Sequence, residues 1–94
     1  MHHAMFDIET LKEIRQKADE MSYLCMNRKL YHDPQSLKFA LDNVSRALGM
    51  FAEMEIQRIK QENISYDPQK YIKGRVSLAY KTVKPTPQDD SNTA

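Results

Sequence analysis

The sequence predicts an all-α fold: an antiparallel helical hairpin plus a shorter C-terminal helix, assembling into a dimeric helical bundle. Three observations predict it. Two glycines and four prolines in 94 residues are far fewer breaks than a domain of short strands and tight turns needs. Apolar residues recur at alternating spacings of three and four, the period of one helix face. The pair Asp-Pro stands at 33–34 and again at 67–68, each time ahead of a helical pattern. An Asp N-cap followed by proline in the first turn is a chemically sensible helix start.

The first helix is predicted over about residues 8–30. Asp7 is its N-cap, and Glu9 faces the positive end of the helix dipole. Leu11, Ile14, Ala18, Met21 and Cys25 form the apolar stripe. Lys12, Glu13, Arg15, Gln16, Lys17, Asp19 and Glu20 fill the solvated face. The second helix is predicted from Pro34 to about Asn63, with a stripe of Leu37, Leu41, Val44, Leu48, Ala52, Ile56 and Ile59. Leu41 and Ile59 are eighteen residues apart, five whole turns, so the stripe runs straight. The short link around Tyr31–Asp33 sets the two helices antiparallel, and their stripes are expected to face each other.

That second helix carries more apolar surface than one neighbour covers. Ala40, Ala47, Phe51 and Met54 widen its arc to roughly 200°, against the ~100° that a simple contact takes up. A third helix and a second subunit are both expected claimants. Ala47, Met50, Phe51 and Met54 are the residues expected at an oligomer interface. The third helix, about residues 68–83, is the weakest pattern. Ile72, Val76, Ala79 and Val83 have helical spacing, whereas Val76, Leu78 and Tyr80 alternate as a strand does. The Asp-Pro start decides for a helix, and its few large apolar residues suggest that it covers only part of the arc. Residues 1–84 thus form one domain, and the polar stretch 85–94 reads as a disordered tail.

Composition narrows the function. A net charge of +1 gives no strong field toward nucleic acid or membrane. Residues 67–84 nevertheless carry five cations (Lys70, Lys73, Arg75, Lys81 and Lys84) against one acid, Asp67. With Tyr71 and Tyr80 among them, they are the candidate contacts for a partner or for nucleic acid: cations neutralise phosphates, and tyrosines stack on bases. A solvated basic face is the plainer reading, because these residues scatter around a helix. One cysteine makes no internal disulfide and fits a reducing compartment, and no signal peptide or membrane span is expected.

No catalytic or metal constellation emerges. His2 and His3 sit at the terminus, and His32 is expected as an exposed turn residue. No His-x-x-x-His, Cys-x-x-Cys or Glu-x-x-His spacing exists. Cys25 is expected in the core as a small hydrophobe. Glu55 is expected to point inward and to pair with Arg58 or Arg28. No phosphate-binding glycine loop is present, and no cofactor is implied.

The sequence therefore points to a non-enzymatic interaction or regulatory protein of the cytoplasm, acting by self-association and by binding an unidentified protein partner. Two other functions compete with it. One is a nucleic-acid-binding module using residues 70–84; the other is an oligomer that sequesters a small ligand.

Overall fold

The computed structural model describes residues 6–62 and 66–85. They form three helices, α1 (Ile8–Met26), α2 (Pro34–Lys60) and α3 (Pro68–Val83), with no strand among the described residues. Each helix starts on an aspartate side chain that accepts a backbone N–H left over in the first turn. Asp7 accepts from Thr10 at 2.7 Å, Asp33 from Ser36 at 2.7 Å and Asp67 from Lys70 at 3.0 Å. Pro34 and Pro68 occupy first-turn positions, where the missing N–H costs nothing.

Two helices are shorter than the apolar pattern suggests. α1 stops at Met26, where the backbone N–H of Asn27 closes onto Leu24 and its side-chain oxygen accepts from Lys29 N at 2.9 Å. That side-chain turn competes with helix continuation. α2 stops at Lys60 because Gln61 adopts a left-handed conformation (φ 58°). There the N–H groups of Gln61 and Glu62 bond back to Arg58 and Gln57, at 3.1 and 2.9 Å. Asn63, expected in α2, lies outside the described residues, as do residues 86–94 of the expected tail.

The expected all-α fold of three helices holds, with α1 and α2 antiparallel, but the packing between them differs from the expected hairpin. α3 is central: it packs against both α1 and α2, while the Cα atoms of α1 and α2 nowhere approach within 8 Å of one another. A reciprocal pair ties the start of α1 to the start of α3. The Asp7 N–H donates to Gln69 Oε1 at 2.8 Å, and Gln69 Nε2 donates to Asp7 Oδ2 at 3.2 Å. These two helices therefore run parallel. At the other end, His32 Nε2 lies 2.7 Å from the carbonyl oxygen of Val83, so α3 runs antiparallel to α2. His32 is thus a half-buried tie between the first link and the end of α3, not an exposed turn residue.

α3 presents Ile72, Val76, Ala79 and Val83 along one buried face; Ile72 and Ala79 are completely covered. Burying an Ile or Val fully is worth roughly 1.5–3 kcal/mol, so a helix with few large residues still commands the core. On α2 the face it meets is Ala40, Asn43, Ala47 and Met54; on α1 it is Thr10, Ile14, Met21 and Leu24. The small side chains of Ala40, Ala47 and Ala79 permit close approach of the backbones. The bulkier leucine stripe of α2 does not offer that fit, and it is turned outward.

This rotation overturns several expected core positions. On α1, Leu11, Ala18 and Cys25 are exposed, while Thr10 and Leu24 take their places inside. On α2, all of Leu37, Leu41, Val44, Leu48, Ala52, Ile56 and Ile59 are on the exposed side, Leu37 and Val44 least so. Glu55, on that same side, is exposed rather than inward; Arg58 is its partner, as the sequence suggests.

Candidate interaction surface

The outer face of α2 follows from its helical geometry. At 100° per residue, the face under α3 centres on Ala47 and Met54, and Leu37, Leu41, Leu48, Ala52 and Ile59 fall about 120° away from it. Leu41, Leu48 and Ile59 are 65%, 68% and 66% exposed. Val44, at the edge, joins this stripe to the buried arc. Among the described residues, none is packed over the stripe.

The residues expected at an oligomer interface are instead taken up by the chain's own core. Ala47 and Met54 are buried, and Met50 and Phe51 pack half-buried against the same cluster. Phe51 stacks on the ring of Phe6, with centroids 5.3 Å apart and planes inclined by 18°. Polar residues limit the stripe on one side: Asp42, which accepts from Arg46 Nε at 3.0 Å, and Lys60, whose Nζ lies 3.3 Å from Glu62. Glu55 stands close to the stripe's midline, and its carboxyl is held below the usual carboxylate value by hydrogen bonding to the Arg58 guanidinium.

α3 does not gather the basic residues on one face. Lys70, Tyr71 and Arg75 lie toward α2. The Arg75 guanidinium sits 5.1 Å from the centre of the Tyr71 ring and donates to Asn43 Oδ1 at 2.9 Å. Lys73 and Tyr80 lie toward α1. Lys73 Nζ is 3.6 Å from Glu13, which also accepts from Lys17 at 2.6 Å; together these cations depress the Glu13 carboxyl, Lys17 most strongly. The Tyr80 ring is flanked by the ammonium groups of Lys17 and Lys84, at 5.8 and 5.4 Å. Lys81 is exposed between the two groups. The basic residues of α3 thus divide between the side that faces α2 and the side that faces α1.

Between α2 and α3 runs an open groove of about 790 Å³, with Met50, Tyr71 and Leu78 on its walls and Lys70 and Arg75 at its rim. Among the described residues no three His, Cys, Asp or Glu side chains gather as a metal site. Among them, too, no helix is long and apolar enough to cross a membrane.

The residue that sequence reasoning missed is Asn43. Only 1% exposed, it donates to the Phe39 carbonyl at 3.0 Å while accepting from Arg75. Its position was legible: it lies three residues from Ala40, four from Ala47 and seven from Met50, on the arc they share. No protein-family model matches the chain, and no curated protein and no solved structure matches it either.

Proposed function

We propose that this chain is an interaction protein that works as a homodimer, with the outer face of α2 as its self-association surface. The observation that carries the proposal is the straight stripe of uncovered Leu37, Leu41, Val44, Leu48 and Ile59, with Ile56 beside it. Their uncovered fractions amount to on the order of 550 Å² of apolar side-chain surface, the upper end of what a lone soluble domain leaves exposed. Pairing two copies through it can bury at most about 1,100 Å², close to the ~1,000 Å² that marks a specific interface. A chain of this length also has little core of its own, and a second copy enlarges it. The α2–α3 groove, on the opposite side of α2, stays open in such an assembly and is the surface left for a protein partner.

Sedimentation velocity at tens of micromolar tests the reading. The parent protein is expected to sediment as a dimer, and Leu41→Glu with Leu48→Glu is expected to give a monomer that retains its helical circular dichroism. A parent protein that remains monomeric at that concentration overturns it.

A further inference from the structure

We infer that the two copies pair α2 against α2 in antiparallel orientation, about a two-fold axis that passes between Leu48 and Ala52. This inference rests on the self-association reading above and specifies its geometry. Charge placement decides the orientation. Glu55 is exposed beside the midline of the stripe. In a parallel pair in register, Glu55 meets Glu55 of the second copy along the seam, and like charges there repel. In the antiparallel pair the two Glu55 side chains stand about 15 Å apart along the helix axes, ten residues at 1.5 Å each, and do not meet.

The same axis pairs further positions of the stripe. Leu41 falls opposite Ile59, so large residues toward the two ends of the contact cover each other. Leu48 falls opposite Ala52, whose small side chain lets the helices approach at the centre. Asp42 and Lys60 occupy the same edge of the stripe, and antiparallel helices bring like edges together. Asp42 of one copy therefore meets Lys60 of the other, twice per dimer. Each keeps its intrachain neighbour, Arg46 at 3.0 Å and Glu62 at 3.3 Å. Exposed pairs of this kind add little affinity, but they select orientation.

Cysteine cross-linking reads the geometry directly. In a Cys25→Ser background, Leu41→Cys and Ile59→Cys chains are prepared separately, mixed, equilibrated and mildly oxidised. Disulfide dimers joining one chain of each kind are expected, with little linkage in either protein alone. In the antiparallel pair the two copies of residue 41 are about 27 Å apart, eighteen residues at 1.5 Å each, far beyond the reach of a disulfide. Self-linkage through residue 41 means a parallel pair and overturns the inference while leaving the dimer standing. A sedimenting dimer with neither linkage overturns the axis as well, and a parent protein that stays monomeric removes both readings together. As a second measure, Asp42→Lys is expected to weaken the dimer several-fold, and adding Lys60→Asp on the same chain to restore it. Lack of rescue counts against the edge pairing.

Discussion

At the scale of single residues, Asn43 shows how a polar group is accommodated in a small apolar core. Both ends of its amide are used, one by the Phe39 carbonyl and one by the Arg75 guanidinium. Removing the amide leaves the Arg75 guanidinium without this acceptor, while the Phe39 carbonyl keeps only its bond in the helix ladder. Asn43→Ala is expected to destabilise the fold by about 1–3 kcal/mol in urea unfolding, the cost of a lost buried hydrogen bond to a charged group. The helix caps give a pH dependence whose sign is fixed. The Asp7 and Asp33 carboxyls are held below their ordinary value of 3.8, chiefly by the backbone N–H groups of Thr10 and Ser36. A carboxylate depressed in the folded state contributes stability above its unfolded value and loses it as pH falls through the folded one. The melting midpoint is therefore expected to fall once the pH drops below about 4, the ordinary carboxylate range. Asp33→Asn, which keeps the capping oxygen but not the charge, should flatten part of that response.

Among the elements, α2 holds the main difference between what the sequence states and what the fold does. Its helical character, its start at Pro34 and its excess of apolar surface are all legible from spacing and from the Asp-Pro pair. The choice of which part of the arc to bury is not. Periodicity ranks positions by hydrophobicity, and Leu41, Leu48 and Ile59 outrank Ala40 and Ala47 on any such scale. Close packing instead rewards the flatter alanine face, which admits α3 and satisfies Asn43. Cys25 and Leu11 change sides for the same reason, since α1 rotates to meet α3 and not α2. The basic residues of α3 were legible as a cluster in sequence, yet their division between its two flanks depends on the rotation of a helix that Ile72 and Ala79 anchor. At its far end α2 also carries a local cost, because Gln61 is the one non-glycine residue with positive φ among those described. Gln61→Gly removes that steric penalty and is expected to stabilise the protein by up to about 1 kcal/mol, measured as a higher denaturation midpoint.

On the scale of the whole molecule, stability and assembly are expected to be linked. If the outer face of α2 is covered only in the dimer, the melting midpoint rises with protein concentration, as mass action requires when partners bind only the folded state. The Leu41→Glu, Leu48→Glu variant should lose that dependence while keeping the fold, and differential scanning calorimetry at two concentrations compares them. Ile72→Ala is the contrasting change. Its side chain is wholly covered in the face that α3 turns to both neighbours, so a loss of about 2–5 kcal/mol is expected, enough to unfold a domain this small. The central place of α3 has a further consequence, for the order in which structure is acquired. A ribosome releases α1 and α2 first, and neither has a packing partner until residues 68–83 emerge. Folding cannot keep pace with synthesis here: it waits for the last helix, and the leucine-rich face of α2 is the surface that nascent chains expose to one another meanwhile.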